Sequence, residues 1–225
     1  MADRRYPWLD VEPTDDPRIV LLRFKPQMDF IPPPALTLND AVSYALAAMH
    51  GGPSSDLDRA LDMLHHEGGI GYRKVLEAAV ECGHVHTDFR FAFHSNWSVH
   101  SFRHRANIPN DDLIIRALRR VFPPYSGETL ILFRGERASE LEAGRIGLNW
   151  STNRAVAEMF ASGLCRCDGG ESVLLTATAT PSAIITGPND EIPKSVEERE
   201  HIVDPRMLVG ITEIERLPAD LRPRF

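Results

Sequence analysis

The chain has 225 residues, 43% of them hydrophobic, enough to bury a full core as one large domain or two small ones. Its formal charge of −7 disfavours non-specific nucleic-acid binding, although a local basic strip can coexist with a negative total. Three cysteines are too few for a disulfide framework, no apolar run reaches the ~18 residues of a membrane span, and Met1–Trp8 has no apolar signal-peptide stretch. The expectation is a cytoplasmic protein with no membrane partner.

Residues 1–35 are rich in Pro, Asp and Arg, with one candidate strand at Arg18–Phe24 and a polyproline spacer at Ile31–Ala35. A helix is predicted over 37–50, capped by Thr37 or Asn39, with Val42, Ala45, Leu46 and Met49 on one face and Gly51-Gly52-Pro53 as its stop. A second begins at Ser55, with Leu57, Leu61 and Leu64 at helical spacing, and a third runs from Gly71 to Cys82. Thr87–His94 alternates Phe89, Phe91 and Phe93 with Asp88, Arg90 and Ala92, which predicts a strand with one aromatic face. Asn110 or Asp111 opens a helix through Phe122, with acids at its start and Arg119-Arg120 at its end, as the helix dipole favours.

Thr129–Phe133 is a β-prone run that ends on Arg134-Gly135-Glu136. Leu148–Trp150 is a short strand leading into Ser151-Thr152-Asn153, which is N-cap chemistry for a helix from Arg154 that stops at Gly163. Ser172–Ala179 and Ala183–Thr186 are strands. Gly187–Arg199 is a polar loop with two prolines, and His201–Val203 and Leu208–Ile214 complete the sheet.

Arg134, Ser151-Thr152 and the pair Glu198/Glu200 of Glu-Arg-Glu fall at strand ends, in that order. This pattern resembles the ADP-ribosyltransferase superfamily in its arginine–serine–glutamate class. That family has an Arg ending an early strand, a Ser-Thr-Ser-like motif on a later one, and Glu-x-Glu opening a strand after a mobile loop. The resemblance covers roughly the last 100 residues; Asn153 departs from the commonest Ser.

The resemblance implies an α+β fold, a split antiparallel β-sandwich with flanking helices, over residues 107–225, after a mostly helical region 1–106. It implies an NAD-dependent transferase that moves ADP-ribose to a macromolecular acceptor, with NAD as substrate and no metal. Such proteins often act as toxins or effectors, so a neutralising antitoxin or immunity protein is an expected partner. Glu200 would be the catalytic anion beneath an oxocarbenium-like transition state. Glu198 would bind and polarise the acceptor, favouring a protein arginine over RNA or DNA. Arg134 would anchor a phosphate or ribose, because a planar guanidinium grips oxygens bidentately, with Gly135 allowing close approach of the ligand. Ser151 would hold Glu200 and the nicotinamide ribose, with Thr152 in support, and the loop Gly187–Glu197 would recognise the acceptor.

Alternatives stay open. Arg134 could instead be a strand-end residue paired to a surface carboxylate such as Glu136. Arg103, Arg105, Arg116, Arg119 and Arg120 keep a nucleic-acid acceptor in view; NAD glycohydrolysis and a non-catalytic nucleotide- or partner-binding module are the others. Glu213-Ile214-Glu215 is a second Glu-x-Glu, ranked below the first because no long polar loop precedes it. Cys82, His84 and His86, and Cys165 with Cys167, lack standard zinc spacing.

Overall fold

A computed structural model describes residues 9–13, 20–24, 36–66, 69–166, 169–188 and 198–219. The chain divides into two compact units, Met1–Ala35 and Leu36–Phe225. In the first, β1 (Leu9–Pro13) pairs antiparallel with β2 (Val20–Phe24). The polyproline segment lies outside the described residues.

The second unit starts with five helices. Thr37 caps α1 (Leu38–Met49) through a complete capping box: its hydroxyl accepts from the Asp40 N–H, and the Asp40 carboxylate accepts from the Thr37 N–H. α2 (Leu57–His66) and α3 (Ile70–Glu81) bury Leu57, Leu61 and Leu64, and Tyr72, Val75, Leu76 and Ala79.

The strand expected at Thr87–His94 is instead the start of α4 (Thr87–Asn107), a helix of 21 residues. Phe89, Phe93 and Trp97 recur every four residues and are fully buried, whereas Phe91 is 48% exposed. The period-two alternation was therefore coincidental; the four-residue period, continuing beyond His94, matches the buried face. His86 caps this helix by accepting from the Asp88 N–H. α5 (Asp111–Val121) follows, capped by Asn110.

The remainder is a six-stranded antiparallel sheet in the order β6-β7-β4-β3-β5-β8. Its strands are β3 (Leu130–Arg137), β4 (Asn149–Ser151), β5 (Ser172–Ala179), β6 (Ile184–Thr186), β7 (Glu200–Val203) and β8 (Val209–Leu217). Helix α6 (Ala138–Glu142) follows β3, and α7 (Arg154–Ser162), capped by Asn153, follows β4. β3 and β5 pair along all eight residues of each, but β3 meets β4 through one residue pair, Phe133 with Ser151. The sheet thus consists of two three-stranded halves joined at a narrow seam.

One apolar core fills the helical layer and takes in Leu148, Ile185 and Ile202 from the sheet side. A second gathers Leu132, Trp150, Val173, Leu175, Ala177 and Val203. The boundary expected near residue 107 coincides with the end of α4 and lies within the second unit. Among the described residues no helix is long and apolar enough to cross a membrane.

Candidate functional site

The seam of the sheet brings the candidate residues together. Ser151 lies opposite Phe133 on one side and opposite Glu200 on the other. Arg134 follows Phe133 in β3, so Arg134, Ser151 and Glu200 stand on the three adjacent strands β3, β4 and β7.

Arg134 and Glu136 alternate onto one face of β3, and this explains two charges inside a strand. Arg134 Nε donates to Glu136 Oε2 at 2.7 Å, and Arg134 Nη1 donates to the Asn149 carbonyl. The Glu136 carboxylate also accepts the N–H groups of Gly147 and Arg137, at 2.8 and 3.0 Å. Burial pushes this carboxyl up, but the Arg134 charge and these donors outweigh it and hold it below the usual carboxylate range. The guanidinium lies against Gly147: a Cβ there would sit 1.9 Å from Nη2. Gly135 has a different task from the one expected. A Cβ at Gly135 would meet the backbone of α7, 2.3 Å from Ala161 N, so the space is filled by helix packing rather than kept for a ligand.

Glu200 is buried, and each oxygen of its carboxylate has a partner. Asn149 Nδ2 donates to Oε1 at 2.5 Å, and Ser98 Oγ, from α4, donates to Oε2 at 2.9 Å. His94, one turn earlier, places Nε2 3.9 Å from Oε2. Burial drives this imidazole down to about 4, so it is neutral at pH 7. Burial also pushes the Glu200 carboxyl up. The bonds from Ser98 and Asn149 and the Arg134 charge offset part of that, Glu198 adds to it, and the result is above the usual range.

Ser151 does not reach the Glu200 carboxylate. Its hydroxyl donates to the Glu198 carbonyl at 2.7 Å and accepts from the Asn153 N–H at 2.9 Å. It therefore fixes the turn that leads into β7. Thr152 joins the same turn through its backbone N–H, which donates to the Arg199 carbonyl. The stretch from Glu198 to Glu200 is not extended: Arg199 has φ of 47°, in the left-handed region. Glu198 is half-buried and close enough for its charge to act on Glu200. Asn189, Asp190, Glu191 and Lys194 of the acceptor loop lie outside the described residues.

Sequence reasoning missed Ser98, His94 and Asn149. The first two sit on the segment begun as a strand. Asn149 carried a usable signal: in β4 it precedes Ser151 by two residues and shares its face.

Other candidates fall elsewhere. Glu213 pairs with Arg216 at 2.9 Å on edge strand β8, separated from β7 by β4, β3 and β5. Arg103 lies 5.5 Å from the Phe102 ring centroid, Arg105 is held by Asp111 and the Ile146 carbonyl, and Arg119 by the Ser182 carbonyl, so these arginines have partners within the chain. The Cys82 thiol donates to the His84 carbonyl at 2.9 Å. Among the described residues no group of three or more His, Cys, Asp and Glu side chains could hold a metal ion. Two surface hollows, of about 230 and 610 Å³, are lined by residues around Arg137 and Glu171 and around Met159 and Glu215; neither includes Arg134, Ser151 or Glu200.

Comparison with protein-family models, with curated proteins and with solved structures finds no match to this chain.

Proposed function

We propose that this chain is an ADP-ribosyltransferase that cleaves the nicotinamide–ribose bond of NAD and passes ADP-ribose to a macromolecular acceptor. The observation that carries the reading is the seam: a guanidinium, a hydroxyl and a carboxylate, remote in sequence, converge on three neighbouring strands. Two further features support it. Arg134 and Glu200 are close enough for their charges to act on each other. Glu200 is a buried carboxylate with a raised pKa, the kind of perturbed group that concentrates at functional sites.

In the reaction, the C–N bond breaks and its electron pair leaves with nicotinamide, which becomes neutral. The ribose carbon is left electron-poor, and the acceptor attacks it and loses a proton. The leaving group is already cationic, so no general acid is required. The Glu200 carboxylate stabilises the positive charge that develops on the sugar. Arg134 grips a phosphate or ribose oxygen. Ser151 shapes the turn that presents Glu198, and Glu198 binds the acceptor. A guanidinium stays protonated at neutral pH, so a carboxylate beside it polarises an otherwise poor nucleophile, which favours a protein arginine.

A second reading, a non-catalytic module with the same fold, is favoured by one observation. Glu200 is 9% exposed and both oxygens of its carboxylate already accept hydrogen bonds, as in a structural network. Nicotinamide release from NAD by the purified chain, with and without total cell protein or RNA, separates the two. Release with label that protease removes and nuclease leaves is the expected result; release without transfer identifies a glycohydrolase. No release under any condition, with Glu200→Gln equal to the parent, overturns the transferase reading in favour of the module.

A further inference from the structure

The carboxylate on β7 is held by residues that the arginine–serine–glutamate pattern does not contain. We infer that Ser98 and Asn149 are the positioning residues of Glu200, with Asn149 coupling it to Arg134; this rests on the transferase reading of the same site.

Asn149 touches both ends of the site. Its backbone carbonyl accepts from Arg134 Nη1, and its side-chain amide donates to Glu200 Oε1 at 2.5 Å. The orientation of that amide is fixed from behind. The buried Trp97 indole donates from Nε1 to Asn149 Oδ1 at 3.1 Å. An indole N–H can only donate, so the atom it meets must be the oxygen, and Nδ2 is turned towards Glu200. Any shift of β4 at Asn149 therefore moves the anchor for NAD and the catalytic anion together.

Ser98 completes the cradle from the helical layer. Its hydroxyl has one hydrogen, and that hydrogen is committed to Glu200 Oε2 at 2.9 Å. His94 Nδ1 lies 3.4 Å from the same hydroxyl oxygen. With its proton on Nδ1, the neutral imidazole donates to Ser98 and leaves the Ser98 hydrogen free to serve the carboxylate. Helix α4 thus reaches the site through His94 and Ser98, one turn apart on one face.

The groups that face Glu200 are His94 and Ser98 from α4, Asn149 from β4, Arg134 from β3 and Glu198 from the turn before β7. Of these, Ser98 and Asn149 donate hydrogen bonds to the ionised form, and a donor to a carboxylate favours its charge. Removing either leaves a carboxylate that ionises only at higher pH and is free to turn. Loss of packing alone would admit water and move the titration of Glu200 the other way, to lower pH.

The test uses the full-length chain with Ser98→Ala and Asn149→Ala. Two measurements are made: the pH profile of nicotinamide release, and a carbon-13 titration of the Glu200 side-chain carboxyl, assigned by its absence in Glu200→Gln. In both variants the acid limb of turnover and the titration midpoint of Glu200 should move to higher pH. Turnover at pH 6 should fall about tenfold with the Michaelis constant for NAD little changed in Ser98→Ala, the size expected for one hydrogen bond to a charged group. Ser98→Thr, which keeps the hydroxyl, should restore the parental profile. Ser98→Cys, close in size and a weaker donor, serves if the alanine variant does not fold. A Glu200 midpoint equal to the parent's in all of these variants overturns the inference. If the parent releases no nicotinamide, the transferase reading fails, and the carboxyl titration alone still decides whether Ser98 and Asn149 set Glu200.

Discussion

Two buried glutamates lie at opposite ends of the seam and meet opposite surroundings. Glu136 faces a guanidinium and two backbone N–H groups, and its carboxyl is held below the usual range. Glu200 faces a hydroxyl, a side-chain amide and a neutral imidazole, and its carboxyl is pushed above that range. Both pay for burial, but only Glu136 recovers the loss from a full counter-charge in direct contact. On the transferase reading, the difference divides the roles. Glu136 is committed to holding Arg134 in place, whereas Glu200 keeps a carboxylate that neutral donors only partly stabilise, which leaves it responsive to a positive charge developing beside it.

The comparison breaks most visibly at Glu200. Glu200→Gln should lower nicotinamide release by about 10² or more, the scale expected for loss of one preorganised electrostatic partner. A variant as active as the parent would remove Glu200 from the chemistry. Glu136→Gln should act on the fold instead. It leaves the half-buried Arg134 without its counter-ion and should cost about 3 kcal/mol, read from chemical denaturation. Activity lost at unchanged stability would show that Glu136 had been assigned to the wrong side of the comparison.

A finer change separates placement of Arg134 from its charge. Gly147→Ala keeps every charge but puts a methyl group where Nη2 lies. The guanidinium must turn away, and the Michaelis constant for NAD should rise about tenfold, as for one lost bond to a charged group. Turnover at saturation should change less. An unchanged Michaelis constant would mean that Arg134 does not anchor NAD where it stands.

The two glutamates also differ in how far they could be read from the chain alone. Strand β5 was legible over its whole length because Ser172–Ala179 is a β-prone run between breaks. The ends of β4 and β7 were legible too, since Ser151 and Glu200 sit where apolar runs meet polar ones. Glu136 was hidden. β3 was expected to stop near Phe133, and it continues to Arg137 because Arg134 and Glu136 satisfy each other inside the strand. The surroundings of Glu200 were hidden for another reason. Phe89, Phe91 and Phe93 satisfied a strand period locally, so the run through Trp97 was not followed and Ser98 was not placed on a helix face. Ser98 and Glu200 are 102 residues apart, and only the packing of α4 against β7 reveals that they touch. A motif names the residues that carry charge; the neutral donors that tune them come from whichever element happens to lie against the strand.

The smallest effect is on stability as a function of pH, and there the two glutamates should respond with opposite signs. Glu136 has a folded-state pKa below its unfolded value, near 4.3 for a free Glu. Its contribution is present above the unfolded pKa and is lost as pH falls through the folded one. Glu136→Gln should therefore lose most stability at neutral pH, with the deficit closing in acid. Glu200 has a folded-state pKa above its unfolded value, so the folded protein bears a penalty above the folded pKa that disappears as pH falls below the unfolded one. Glu200→Gln removes that penalty, so its unfolding free energy relative to the parent should rise from acid to neutral pH. The slope is the quantity to measure, from denaturation curves between about pH 2 and pH 8, which span both windows. The amide at position 200 sets an N–H against Asn149 or Ser98, and this fixed cost does not vary with pH. Equal slopes for the two variants would mean that Glu200 is as well paired as Glu136, and the distinction between an anchor's partner and a poised catalytic anion would be lost.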